Sequence, residues 1–195
     1  AVFQELRRAD IGLLLIAWVL FLIGIVIRAF RWRALLQGLG LRPPFLLLLK
    51  LYLIGGFFNA FLPSGFGGDV IRVLELGREG DSPAALGTVL VDRMTGILSL
   101  LALGLMVLPF SQGLTAWVRW LFLAIAAGGL VAGGIVLQGS ALRWLVARLP
   151  FGPSLEGEGT VARIFAAVTG CGTRAILLAL GYSTLFNVLN IGVHW

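Results

Sequence analysis

Residues 57–72 read FFNAFLPSGFGGDVIR, and this stretch gathers most of the groups that could do chemistry. Pro63, Gly65, Gly67 and Gly68 break an apolar run, and Asp69 suits the cap of a helix that restarts behind the break. A helix beginning there points unpaired N–H groups and its positive dipole end back into the turn. The N–H groups around residues 67–70 would face that turn, with Arg72 one turn further on and Asn59 and Ser64 as neutral donors. Such a cradle suits a phosphate or another anion, with Arg72 adding a two-pronged contact. An ionised Asp69 repels an anion, so it reads as the cap or as the partner of an arginine. The alternative is a Pro/Gly-capped break between two packed helices that binds nothing.

Further along lies Asp92-Arg93, just inside another apolar run. Burying both charges is costly, so both should face the protein interior or a wet cavity. Arg93 is then a second anion contact, with Asp92 neutralised by an arginine such as Arg72 or Arg28. The plainer reading is an ion pair that locks neighbouring helices together. Arg28, Arg31 and Arg33, with Trp32, form a basic and aromatic helix end. Arg31 and Arg33 read as anchors at a membrane surface, whereas Arg28, deeper by a turn, is the better cavity contact. Lys50 is expected to snorkel. Asn187 and Asn190 share a face and suggest interhelical hydrogen bonds, and Gly128-Gly129 and Gly133-Gly134 suggest close helix packing.

These residues sit in a chain of 195 residues that is 59% hydrophobic and 12% charged, against about 25% charged in soluble domains. One soluble core of this size cannot hide so much apolar surface, so the chain belongs in a membrane. Fourteen of its 15 basic residues are arginine and its net charge is +6, but the arginines cluster at the ends of apolar runs. That distribution points to anionic lipid and away from nucleic acid. Cys171 and His194 are each the only residue of their type, which excludes disulfide frameworks, thiol metal clusters, histidine triads and multi-histidine zinc sites. No catalytic residue, metal or cofactor is expected, and no cleavable signal peptide is visible.

A spanning helix needs about 20 apolar residues. Spans are expected at about 11–37, 84–108, 116–138 and 173–195, with an interfacial helix at about 140–149, a loop at 150–159 and a short amphipathic helix at 160–169. The arginine bias places the connection at 28–42 and the stretch 143–174 in the cytoplasm. The uncharged 109–115 connection then lies outside and Asp81 inside, so the segment 46–79 must enter the bilayer and turn back. Such a re-entrant hairpin is tolerated only when buried in protein or lining a wet cavity. The expected fold is all-α: a polytopic transmembrane helix bundle with a re-entrant helical hairpin, forming one transmembrane domain over 1–195. The chain opens without Met and stops inside an apolar run, as expected of a piece of a longer protein.

The motifs resemble the lysylphosphatidylglycerol synthase transmembrane-region, or flippase-like, family. The resemblance is carried by Arg28, Arg31 and Trp32 followed by Leu35-Leu36, by Phe57-Phe58-Asn59, by Leu62-Pro63-Ser64-Gly65, by Gly67-Gly68-Asp69 with Arg72, and by Asp92-Arg93. It is clear over about residues 14–108 and only topological beyond. It implies a multi-pass protein of the inner or plasma membrane, with more spans than are visible here and pseudo-symmetric halves, handling a phospholipid or polyprenyl-phosphate lipid. Fused members make and flip aminoacylated phosphatidylglycerol. This chain shows no aminoacyltransferase domain, so that chemistry is not carried over. The leading expectation is a lipid-handling protein that binds and flips an anionic lipid. The headgroup would rest on Asn59, Ser64, Gly65, Gly67, Gly68, Arg72, Arg93 and Arg28, with Asp69 and Asp92 as cap or ion-pair residues. The alternative is a membrane-embedded polyprenyl-phosphate glycosyltransferase or its accessory subunit, with Asp69 as its carboxylate. Membrane lipid is the expected partner, nucleic acid is not, and homo-oligomerisation is left open.

Overall fold

Asp10 starts the first long helix: its Oδ1 accepts the Gly12 N–H at 2.7 Å, which satisfies one of the donors a helix start leaves open. The computed structural model describes residues 10–61, 67–78, 82–111, 113–148 and 159–193. Over them run α1 (Ile11–Gly38), α2 (Phe45–Phe61), α3 (Gly67–Arg78), α4 (Ser82–Val107), α5 (Ala116–Leu137), α6 (Ser140–Val146), α7 (Thr160–Gly170) and α8 (Thr173–Val193). A short 3₁₀ turn, Leu108–Phe110, extends α4 at Pro109.

Four of these helices are long and apolar enough to cross a bilayer: α1, α4 with its 3₁₀ extension, α5 and α8. Their bounds fall on the long, largely apolar runs of the sequence, which suit helices better than strands. The outward surface carries Trp18, Phe21, Met106, Trp117 and Leu177, all more than half exposed. A soluble monomer rarely shows so continuous an apolar surface, whereas hydrocarbon solvates it.

α1 ends in a tight reversal. Gly40 takes a φ of +79°, and the N–H of Leu41 returns to the Leu36 carbonyl at 2.9 Å. This closes orphan carbonyls at the helix end and turns the chain towards Pro43-Pro44. α2 and α3 then fold back along each other, with Gly55 against Gly68. The returning helix starts at Gly67, so Asp69 lies in its first turn and does not occupy the cap position expected for it. Residues 62–66 of the expected turn lie outside the described residues, as do Asp81 and most of the 150–159 loop.

Two apolar clusters hold the bundle, and α4 contributes to both. In one, Ile25, Trp32 and Leu36 of α1 meet Leu48 and Leu51 of α2, Leu76 of α3 and Val89 of α4. In the other, Leu35 meets Val91, Leu98, Leu137, Cys171 and Ala179. The diglycine expectation holds for half of each pair. A Cβ at Gly129 or Gly133 would strike Leu101 or Leu98, while Gly128 and Gly134 have open space.

Cys171 sits at the junction of α7 and α8, where its thiol donates to the Ala167 carbonyl at 3.3 Å. Burial pushes that thiol up to about 11, and thiolate is the reactive form. The unfolded thiol therefore ionises first, so this group weakens the fold only as pH rises above the ordinary cysteine range. A maleimide at neutral pH is expected to spare Cys171 in the folded protein and to label it after denaturation. Rapid labelling without denaturant would show that the α7–α8 junction is open.

Candidate functional site

The polar residues of the bundle converge on Asp92. It lies ten residues into α4, about 15 Å from the helix start by helical rise, and only 1% of it is exposed. Arg31 of α1 grips it with a fork, Nε to Oδ1 at 2.6 Å and Nη2 to Oδ2 at 2.9 Å. The third guanidinium nitrogen of Arg31 donates to Ser183 Oγ of α8 at 3.2 Å. From the hairpin, the Tyr52 hydroxyl donates to Oδ2 at 3.0 Å, and Arg72 Nη2 reaches the same oxygen at 3.4 Å. Arg72 also donates to the Tyr52 hydroxyl at 2.9 Å, so that oxygen both gives and accepts.

Aromatic rings enclose these charges. The Arg72 guanidinium lies 4.1 Å from the ring centroids of both Trp32 and Tyr52. Trp32 is fully buried and spends its indole N–H on Thr88 Oγ1 at 3.1 Å. Stacking and hydrogen bonds together offset part of the desolvation that a buried guanidinium suffers.

The network continues to the start of α3. Asp69 Oδ1 accepts from Arg72 Nη1 at 3.2 Å, and Asp69 Oδ2 accepts from Arg93 Nε of α4. Charges thus alternate along Arg31, Asp92, Arg72, Asp69 and Arg93. Arg28 stands beside this line, its guanidinium 4.9 Å from the Tyr52 ring and 5.5 Å from that of Phe186. Among the described residues no carboxylate comes within 4 Å of it, though its charge still acts on Asp92. Four arginines thus stand around two aspartates among the described residues.

Two spaces border the cluster. A cleft of about 30 Å³ is lined by Arg28, Tyr52, Gly55, Asn59, Asp69 and Arg72. A groove of about 410 Å³ runs between α1 and α8, with Arg28, Leu20, Gly24, Phe186 and Asn190 among its walls. Among the described residues, Arg72 Nε is buried without a hydrogen-bond partner.

The expected site residues divide on this geometry. Arg28, Asn59, Gly68, Asp69 and Arg72 come together around the cleft. The Gly68 N–H is already taken, because it donates to Asn59 Oδ1 at 2.7 Å. Gly67 is the first residue of α3 and is buried. Arg93 is partly exposed and turned to Asp69, on the outer side of the cluster. Ser64 and Gly65 lie outside the described residues. Asn187 bonds to the Gly96 carbonyl and Ser99 Oγ of α4, both at 3.3 Å, as interhelical glue. Asn190, expected to act likewise, lines the groove.

The expectation for Arg31 is overturned. Arg31, read as a surface anchor, is only 6% exposed and is the main partner of Asp92. The physical reason is rotational. Arg28 and Arg31 stand three apart and so present neighbouring faces of one helix, both turned inward. Arg33 is half-buried over the Phe45 ring, 5.9 Å from its centroid. Sequence reasoning also missed Tyr52 and Ser183. The one signal for Tyr52 was a hydroxyl within an otherwise apolar run, and Ser183 gave none.

Comparison with known proteins agrees with this architecture. The family described as lysylphosphatidylglycerol synthase TM region matches residues 1–195. A UPF0104 membrane protein of Pyrococcus horikoshii is 26% identical over 137 residues, covering 68% of this chain and 40% of that relative. The chain thus spans well under half of the curated relative's length. No solved structure matches. With a family match over its whole length and four helices able to span a bilayer, the chain is a multi-pass membrane protein that belongs to the lysylphosphatidylglycerol synthase transmembrane-region family.

Proposed function

We propose that this protein binds the phosphate-bearing headgroup of an anionic membrane lipid in its arginine-rich centre and carries it across the bilayer. The observation that supports this reading is the preponderance of arginine over aspartate in this cluster, with no carboxylate within 4 Å of Arg28 among the described residues. An arginine at mid-span costs about 3 kcal/mol on insertion scales. A structural ion-pair network needs no such preponderance, whereas a phosphate that meets Arg28 offsets that cost directly. On this reading the α2–α3 hairpin enters the bilayer and returns to the cytoplasmic side, so that the headgroup meets polar backbone in place of hydrocarbon.

Asp69 is the residue that a membrane-embedded transferase would need as its catalytic carboxylate. It is held between Arg72 and Arg93, which suits a structural anion better than a base. The binding reading is therefore preferred.

The test uses the full-length protein in vesicles with a headgroup-labelled anionic lipid, followed by chemical quenching of the outer leaflet. Arg28→Gln is expected to slow flipping about tenfold, the factor that one charge-assisted contact is worth. Arg28→Lys should restore part of the rate, and both should melt close to wild type, since Arg28 holds no buried ion pair. Wild-type flipping by Arg28→Gln would remove the basis of the proposal.

A further inference from the structure

We propose that Arg28 seats the phosphate of a lipid whose hydrocarbon chain lies in the groove between α1 and α8. This rests on the lipid reading above and gives that lipid a position. Arg28 is the residue common to the large apolar groove and the small polar cleft. An amphiphile has this same division, one long apolar part joined to one charged part.

The dimensions agree. Groove walls on α1 run from Ala17 to Arg28, which helical rise converts to about 16 Å, roughly half of a 30 Å hydrocarbon core. That is the depth available to one chain in one leaflet. Leu20, Gly24 and Ile25 line one side, and Phe186 and Leu189 the other. At the inner end, the Arg28 guanidinium lies against the faces of Tyr52 and Phe186. Its N–H edges are left for oxygen acceptors in their own plane.

The cleft beyond Arg28, at about 30 Å³, admits about one water-sized group, enough for a phosphate oxygen and too small for a whole headgroup. The seat therefore takes a phosphate and a chain, and the preponderance of arginine around it disfavours a headgroup that carries its own cation, as choline does. Arg28 lies ten residues before the end of α1, about 15 Å in from its arginine-rich terminus. The chain points away from that terminus, so the seated lipid has its phosphate at mid-depth and its tail in the opposite half of the bilayer.

The test uses full-length protein in phosphatidylcholine vesicles doped with phosphatidylglycerol that carries a photoreactive diazirine in one acyl chain. Crosslinks are expected within residues 17–25 and 186–190, and Arg28→Gln should reduce their yield about tenfold. Gly24→Leu should also reduce it, because even a Cβ there would come 3.1 Å from the Phe186 ring. Leu189→Trp fills the groove from the other helix and serves if the first variant does not fold. Soluble glycerol phosphate should not compete.

Several results would overturn the seat. They are equal labelling by a phosphatidylcholine probe, competition by glycerol phosphate, or no groove crosslinks in wild type because another segment of the protein fills it. If both groove-filling variants keep full labelling and full flipping while Arg28→Gln loses flipping, the seat is wrong and the lipid reading stands. If Arg28→Gln changes neither crosslinking nor flipping, both fall.

Discussion

Asp92→Asn is expected to destabilise the protein by about 3–5 kcal/mol, the cost of breaking a buried ion pair from one side. The substitution is nearly isosteric, so no cavity contributes. What changes is charge: Arg31 and Arg72, both under a tenth exposed, lose the carboxylate they share. Arg72 keeps Asp69 and the Tyr52 hydroxyl, but Arg31 keeps no carboxylate within 4 Å, only neutral acceptors such as Ser183 and the amide oxygen. Against a typical total of about 5–15 kcal/mol the loss is large. In detergent, the unfolding midpoint should fall by on the order of 10 °C. An Arg31→Met, Asp92→Leu double variant should lose less than Asp92→Asn alone, because it removes the stranded charge along with its partner. If Asp92→Asn melts with wild type, the carboxylate is not the hub of the bundle.

Gly68→Leu should have the next largest effect, and chiefly on function. Any Cβ at Gly68 runs into the Gly55 carbonyl, and one at Gly55 would lie 3.1 Å from the Gly68 Cα. Backbone meets backbone there, so no flexible side chain can yield, and overpacking of this kind costs about 1–3 kcal/mol. The helices must part. That breaks the Asn59–Gly68 hydrogen bond, 2.7 Å in the native hairpin, and shifts Arg72 relative to Tyr52. Lipid flipping should be lost while the protein still inserts. Gly134→Leu is the control, since a Cβ at that position of α5 meets nothing within 4 Å and lies away from the cleft. Equal flipping by Gly68→Leu and Gly134→Leu would show that the close hairpin contact is dispensable.

How far the site could be read in advance depends on which coordinate of a helix the sequence reports. Position along the axis is legible: long uncharged runs mark the spans, and Pro63 with its glycines marks the reversal. Rotation about the axis is not. α1 is apolar on all sides, so no hydrophobic stripe shows which face turns inward. The positive-inside rule reads only depth, and on depth alone Arg31 belongs at the surface. The same blindness split Asp92-Arg93. Both were expected to face the interior or a wet cavity, and the sequence did not say which went where: adjacent helical residues diverge, so Arg93 ends half-exposed against Asp69 while Asp92 is buried. Tyr52 was hidden by its neighbours, since one hydroxyl scarcely alters the apolar character of its segment.

The fork between Arg31 and Asp92 also constrains how the chain is made. Arg31 leaves the ribosome 61 residues before Asp92 and 152 before Ser183. At about 5–20 residues per second, it waits roughly 3–12 s without its carboxylate. During that interval the first helix has to hold its charge at the aqueous border, which a long arginine stem about 10 Å from the helix end can reach. Assembly of the interior is therefore timed by the arrival of the fourth helix, whose carboxylate draws Arg31 inward.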